Sequence, residues 1–133
     1  MDNLKLKEFF NRKYTYAVVG ASNNKNKYGY KITKTLFEAG FNVIPINPKE
    51  SEIYGIKCYP SLLAVSERID VVDYVVPAAI TLKSLKNAKE RGINKVWFQP
   101  SSYDYKCETF CKKNNIKYMK DFCLFAQTLK ELD

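Results

Sequence analysis

Two glycines near the start of the chain lie where a phosphate group could bind. Gly20 ends a short apolar run and Gly29 lies just before a helix-like pattern, within the stretch VVGASNNKNKYGYKI. Free backbone N–H groups at such a turn, together with the positive end of a helix dipole, attract anions. Ser22 can donate its hydroxyl and help to cap the following helix. We therefore predict a phosphate-binding turn, with further positive charge from Lys25, Lys27, Lys31 and Lys34.

The end of the second predicted strand indicates which ligand this turn would take. NAD-binding proteins carry an acid there, which holds the ribose diol, and their glycine motif would require glycine at position 22. Here the strand is followed by Asn47, Pro48 and Lys49, and position 22 is Ser22. Because Lys49 attracts phosphate, we expect a ribose with an extra phosphate, as in coenzyme A and NADP. The alternative is that both glycines merely permit a tight turn between strand and helix.

The elements that would position these residues alternate along the chain. Strands are predicted over the apolar runs TYAVVG, FNVIPIN, IDVVDYVV, KVWFQ and IKYM. Helices are predicted over residues 2–12, YGYKITKTLFEAG, TLKSLKNAKERG, YDYKCETFCKKNN and the tail from about Phe122. Gly40 and Gly92 should each end a helix, and Thr81 is a candidate cap. We interpret SEIYGIKCYPSLLAV as a loop with a short strand, followed by a brief helix from near Pro60.

This alternation predicts the fold class. Parallel strands need helical crossovers, so the order indicates an α/β fold. We expect a single doubly wound Rossmann-like domain over residues 1–133, with about five parallel strands flanked by helices and a helical extension over residues 1–13. In such sheets a ligand binds beyond the carboxyl ends of the strands, where the winding reverses. The site should therefore lie at the segments after Val19, Ile46, Val76 and Phe98.

Residues suited to catalysis or metal binding are scarce. The chain has no histidine, which excludes Ser-His-Asp and Cys-His nucleophile systems and histidine metal ligands. Its four cysteines form no C-x-x-C pair, so we expect reduced thiols and no metal site. Asp70 and Asp73 are interpreted as residues that flank a buried strand, and Asp121 and Cys123 as capping and packing residues. No pair of carboxylates is placed for acid–base chemistry, and we assign no catalytic residue.

The net charge of +8 would attract anions, from nucleic acid and membrane surfaces to phosphorylated small molecules. Because the lysines are spread along the chain, general solubility is the simpler explanation, and no recognition motif supports nucleic-acid binding.

No stretch approaches the roughly 20 apolar residues of a membrane span, and the first residues lack the apolar core of a signal peptide. We expect a cytoplasmic protein with a small nucleotide ligand and no membrane partner, and we leave a homodimer open.

Six segments, in order and spacing, resemble those of a known family: AVVGAS, YGYKI, GFNVIPINPK, EIYGIKCYPSL, IDVVDYVV and VWFQ. From about Tyr14 to Cys123 the chain resembles the small stand-alone CoA-binding proteins, whose domain is similar to the CoA-binding domain of the succinyl-CoA synthetase α subunit. The resemblance implies a Rossmann-like fold that binds coenzyme A or an acyl-CoA, with no reaction firmly assigned.

The resemblance also implies which residues bind the ligand. Lys49 matches a basic contact for the nucleotide end of CoA, and residues 76–78 match a loop that flanks the adenine or the pantetheine arm. Gln99 matches the family's residue at the end of the fourth strand. We expect Trp97, in the same strand, to be an apolar core residue. The predicted ligand-binding residues are Gly20, Ala21, Ser22, Lys25, Lys27, Tyr28, Gly29, Asn47, Pro48, Lys49, Val76, Pro77, Ala78 and Gln99.

Two departures from the family pattern concern the ligand more than the fold. Lys25 and Lys27 stand where the family usually has a proline and an arginine, and a lysine lacks the two-pronged grip of arginine on phosphate. Ser101 stands where glycine is usual, which stiffens the loop near the thiol end of the ligand.

Three functions fit these observations. The first is a CoA-binding or acyl-CoA-binding protein without catalysis of its own. The second is an enzyme. An NADP-binding reductase is one form of it, but an obvious proton donor and a separate substrate domain are missing. A fragment of an acyl-CoA ligase is the other, but the phosphorylated histidine of such ligases is missing. The third is a nucleotide-sensing regulatory protein, although the residues before Tyr14 are too few for a winged-helix domain.

Overall fold

The computed structural model describes residues 3–120 together with Leu124, Ala126, Thr128 and Lys130. Within these residues the α-helices are α1 (Asn3–Phe9), α2 (Tyr28–Glu38), α3 (Ala78–Glu90) and α4 (Tyr105–Lys113). The strands are β1 (Thr15–Val19), β2 (Asn42–Ile46), β3 (Glu52–Ile53), β4 (Ile56–Lys57), β5 (Val71–Tyr74), β6 (Lys95–Phe98) and β7 (Lys117–Met119). A 3₁₀ turn at Leu62–Ala64 lies between β4 and β5.

Five of these strands form one parallel sheet in the order β2-β1-β5-β6-β7. Ala17 in β1 pairs with Ile44 in β2 on one side and with Val72 in β5 on the other. The chain runs outward from β1 to β2 and then, from β5 to β7, in the opposite direction. The winding therefore reverses between β1 and β5, which confirms the predicted doubly wound α/β fold.

Helices cover both faces of the sheet. Successive side chains of a strand point to opposite faces, so Tyr16 of β1 packs in the core on the α1 and α2 side, and Ala17 packs on the α3 and α4 side. Each face is closed by buried helical residues, such as Leu36 of α2 and Leu85 of α3. Burial on both faces explains why the strands read as continuous apolar runs. Trp97 is fully buried, as expected of an apolar core residue.

The helix ends follow the predicted glycines, but two predicted caps are wrong. Gly40 and Gly92 have positive φ angles of 90° and 72° and follow the ends of α2 and α3. Thr81 does not begin α3, because the carbonyl of Pro77 already accepts hydrogen bonds from the N–H groups of Ile80 and Thr81. Thr81 is instead a buried residue within the helix. Ser22 does not cap α2, which begins at Tyr28.

The segment between β2 and β5 forms a hairpin and a short helical turn. Strands β3 and β4 pair antiparallel, so the loop contains two short strands where one was predicted. The brief helix predicted near Pro60 is the 3₁₀ turn. Tyr59 forms a parallel bridge with Ile46, which ties this segment to the edge of the sheet.

Both ends of the chain were predicted to be helical. Helix α1 confirms the first prediction and buries Phe9 against the sheet. The predicted roles of Asp121 and Cys123, and much of the helix predicted from about Phe122, lie outside the described residues. The four described positions of that segment are helical. Over the described part of the chain, no helix has the length and apolar character needed to cross a membrane.

Candidate functional site

A cavity of about 740 Å³ lies at the carboxyl ends of β1, β2 and β5, where the winding reverses. This is the position at which doubly wound sheets bind their ligands. Ten of the predicted ligand-binding residues line it: Gly20, Ala21, Ser22, Lys27, Tyr28, Gly29, Asn47, Pro48, Val76 and Pro77. Lys25, Lys49 and Ala78 are not in the lining, and Gln99 lines a smaller neighbouring compartment.

The two glycines allow the turn after β1 and the start of α2 to meet at backbone distance. A Cβ atom on Gly29 would stand 2.0 Å from the carbonyl oxygen of Gly20. Gly20 itself has a φ of 105°, and a Cβ there would stand 2.8 Å from the carbonyl oxygen of Val75. A side chain at position 20 would therefore collide with the segment after β5 before it reached a ligand. The alternative that the glycines permit a tight turn is thus part of the explanation.

Backbone donors at this turn are available to a ligand. Within the described residues, no protein acceptor takes the N–H group of Ser22 or of Gly29. At the start of α2, the N–H groups of Tyr30 and Lys31 already bond to the carbonyl of Lys27. The hydroxyl of Ser22 accepts from the N–H of Asn24 at 3.0 Å, which shapes the turn. Free N–H groups at the first turn of a helix, in the positive field of its dipole, favour an anion.

Asn47 joins the two loops that border the cavity. Its Nδ2 donates to the carbonyl of Ala21 at 2.9 Å, and its Oδ1 accepts from the N–H of Lys49 at 2.8 Å. Its own N–H donates to the carbonyl of Tyr59 at 3.0 Å. These bonds use both polar ends of the Asn47 side chain. Asn47 therefore positions the predicted phosphate-binding turn between β1 and α2, called the phosphate turn below.

The wall opposite the phosphate turn was missed by the sequence analysis. It comes from α3, where Ile80, Lys83, Ser84 and Asn87 face the cavity, and from the residues around the 3₁₀ turn. The four helical positions are spaced by three, four and seven residues, which places them on one helix face. Ile80 is 49% exposed on that face, a property that only the packed structure reveals. The rule that places ligands at strand ends does not indicate which helix face borders the ligand.

In the described lining of the cavity, two lysines on opposite sides carry the positive charge. Lys27 lies at the start of α2 and Lys83 on α3, and no carboxylate is among the described residues that line the cavity. The described lining also includes apolar side chains such as Ile46, Leu62 and Val75. The cavity can therefore accept a ligand that has both anionic groups and an extended apolar portion.

A second compartment of about 210 Å³ lies beside the main cavity. Its lining includes Gln99, Pro100 and Ser102, which follow β6. Tyr28 and Val75 line both spaces, so the two compartments adjoin.

Beneath this compartment lies a buried carboxyl. We placed Asp73 at the flank of a strand, which is wrong: it is within β5 and has no exposed surface. Gln99 Nε2 donates to its Oδ1 at 2.7 Å, and its Oδ2 has no partner among the described residues. Burial raises the pKa of Asp73 to about 7, and the hydrogen bond from Gln99 lowers it only in part. Asp70 directly precedes β5, as expected for a residue at the start of a strand, and its Oδ2 accepts a hydrogen bond from the N–H of Thr15 in β1.

Comparison with known proteins identifies the family. A family described as the CoA binding domain matches residues 14–128. The chain belongs to this CoA-binding family. The match confirms the resemblance inferred from the sequence motifs.

Relatives within the CoA-binding family include parts of much larger enzymes. An ADP-forming acetate–CoA ligase of Methanocaldococcus jannaschii is 34% identical over an alignment of 116 positions, and this alignment covers 81% of this chain and 16% of the ligase. A conserved hypothetical protein of Pyrococcus furiosus has a solved structure that is 38% identical, with a TM-score of 0.83 over 86% of this chain and 98% of that one. A hypothetical protein of Pyrococcus horikoshii is 29% identical, with a TM-score of 0.87 over 98% and 91% of the two chains. This member of the family thus matches these two small structures along nearly their whole length.

Proposed function

We propose that this protein binds coenzyme A or an acyl-CoA in the cavity between the phosphate turn and α3. One observation carries the proposal: the cavity lies at the point where the winding reverses, with unpaired backbone donors and Lys27 at one end. The relative named above as an acetate–CoA ligase matches this chain over 81% of its length and supports CoA over NADP.

The lining suits the different parts of such a ligand. The pyrophosphate would lie against the N–H groups of Ser22 and Gly29, where the dipole of α2 adds to their attraction. The pantetheine arm would run along the apolar wall formed by residues such as Leu62 and Val76. The absence of carboxylates from the described lining removes a source of repulsion for a polyanion.

We propose binding without catalysis by this chain. The sequence contains no histidine, and the described lining has no carboxylate that could act as a general acid or base. The lysines of the site serve to neutralise phosphate charge in this proposal.

Isothermal titration calorimetry with CoA, dephospho-CoA and NADP tests the proposal. We expect CoA to bind at one site per chain and NADP to bind much more weakly. Failure of CoA to bind would contradict the proposed function.

The role of Lys49 needs a separate test, because this residue lies outside the lining of the cavity. If Lys49 contacts the ribose phosphate, the wild type binds CoA about three- to tenfold more tightly than dephospho-CoA, and Lys49→Ala removes that difference. Lys57→Ala, on the exposed hairpin strand, is the matched control and should keep it. Equal binding of the two ligands by the wild type would exclude this role.

A further inference from the structure

The small compartment beside the main cavity is placed to receive the far end of a ligand. It lies at the carboxyl ends of β5 and β6 and adjoins the main cavity at Tyr28 and Val75. Its volume of about 210 Å³, against about 740 Å³ for the main cavity, excludes a nucleotide and suits a group of a few heavy atoms.

The turn after β6 positions Gln99 and Ser102, two of the polar residues in the described lining of this compartment. The N–H of Ser102 donates to the carbonyl of Gln99 at 3.0 Å, which closes the turn. Between them, Ser101 adopts a φ of 71°. Gln99 and Ser102 are each only 4% exposed, so the compartment is the space to which they are adjacent.

Asp73 fixes the amide of Gln99 from below. Gln99 Nε2 donates to the Oδ1 of Asp73 at 2.7 Å, a hydrogen bond between two buried groups. A buried amide with one fixed hydrogen bond has a defined orientation, and its remaining hydrogen-bonding capacity can be directed at a ligand. Gln99 is therefore a polar contact of fixed geometry at the edge of the compartment.

We propose that this compartment binds the acyl group of a short, uncharged acyl-CoA, and that Gln99 and Ser102 determine the acyl specificity. The proposal rests on the proposed CoA binding, with the nucleotide in the main cavity. Gln99 and Ser102 would contact the polar thioester carbonyl, and Val75 and Pro100 would contact the carbon chain.

The charge around the compartment favours an uncharged acyl group. The described residues that line it include no lysine or arginine, and the carboxyl of Asp73 lies behind Gln99. An acyl group with a free carboxylate, such as succinyl, would lose hydration there without gaining a cationic partner. It would also be repelled by Asp73 whenever that carboxyl is ionised.

Calorimetry with CoA, butyryl-CoA and succinyl-CoA tests the proposal on the wild type alone. We expect butyryl-CoA to bind about tenfold more tightly than CoA, because its methylene groups leave water, and succinyl-CoA to bind more weakly than butyryl-CoA. Equal affinities for butyryl-CoA and succinyl-CoA, or for butyryl-CoA and CoA, would overturn the acyl site. If CoA itself does not bind, the proposed function fails and the acyl site fails with it.

Two variants at one position then locate the effect. Ser102→Leu fills the compartment and should reduce the affinity for butyryl-CoA to that for CoA. Ser102→Ala leaves the space open but removes a hydroxyl contact to the thioester carbonyl, so it should bind butyryl-CoA more weakly than the wild type does and still more tightly than it binds CoA. A preference for butyryl-CoA that survives Ser102→Leu, in a protein whose circular dichroism matches the wild type, would place the acyl group elsewhere and overturn the proposal.

Discussion

The buried carboxyl of Asp73 makes the stability of the protein depend on pH. Its pKa is 3.8 for an ordinary aspartate and about 7 in the folded protein, because burial disfavours the charged form. Between these two values the folded state holds a proton that the unfolded state has released. The free energy of unfolding therefore falls as pH rises from about 4 to about 7, by roughly 4 kcal/mol for this group, and the loss is complete above that range.

The variant Asp73→Asn tests this linkage. Asparagine keeps an acceptor for Gln99 Nε2 but cannot ionise, so the penalty that grows with pH disappears. We expect the stability of the variant relative to the wild type to increase by about 2–3 kcal/mol between pH 5 and pH 8. Urea unfolding of both proteins at each pH measures this difference and cancels the titration of all other groups. If the free energies of unfolding of the two proteins change in parallel with pH, Asp73 is already ionised at pH 5 and the prediction is wrong.

Gly29 gives a second prediction at the scale of one residue. A methyl group there would stand 2.0 Å from the Gly20 carbonyl oxygen, which is backbone and cannot rotate away. Gly29→Ala should therefore destabilise the protein by about 3 kcal/mol or more, and displace the phosphate turn from α2. The measurement is the free energy of unfolding in urea.

Gly55→Ala is the matched control for that change. Gly55 has a φ of 74°, but a Cβ there meets nothing within 4 Å. The cost should be only the backbone strain of about 1–2 kcal/mol. If the two variants lose equal stability, the close approach of Gly29 and Gly20 does not restrict position 29.

At the scale of elements, α3 provides a wall that the strand-end rule did not predict. Apolar runs and glycine stops were enough to place the strands and most helices, since these signals are local. Which face of a crossover helix lines the cavity depends on how the helix packs against the sheet, and this packing is not local. Thr81 was also taken for a cap, although Pro77 is the N-cap of α3 and Thr81 is buried within the helix.

Helix α3 offers a matched pair of lysines to test its role in binding. Lys83 lines the cavity, whereas Lys86 lies one turn on, exposed and outside the lining. We expect Lys83→Ala to weaken CoA binding about three- to tenfold, because it removes one of the two lysines in the described lining of the cavity, and Lys86→Ala to leave it nearly unchanged. Calorimetry at constant ionic strength measures both. Equal losses would indicate a general effect of charge with no contribution from the cavity wall.

At the scale of the whole molecule, the sequence predicted the doubly wound sheet and hence the edge at which the cavity lies. Alternating strands and helices with short connections permit few other arrangements. The same reasoning could not show that Asn47 joins the two loops, because its partners Ala21 and Tyr59 are distant in sequence. Nor could it show that Tyr28 and Val75 separate two compartments, since this depends on side-chain placement in three dimensions.

The central claim is that the cavity where the winding reverses holds coenzyme A. A crystal structure of the protein grown with excess CoA tests it most directly. We expect electron density for the pyrophosphate against the N–H groups of Ser22 and Gly29, with the pantetheine arm between the apolar wall and α3. A cavity that stays empty under these conditions, or CoA bound at another surface, would contradict the claim.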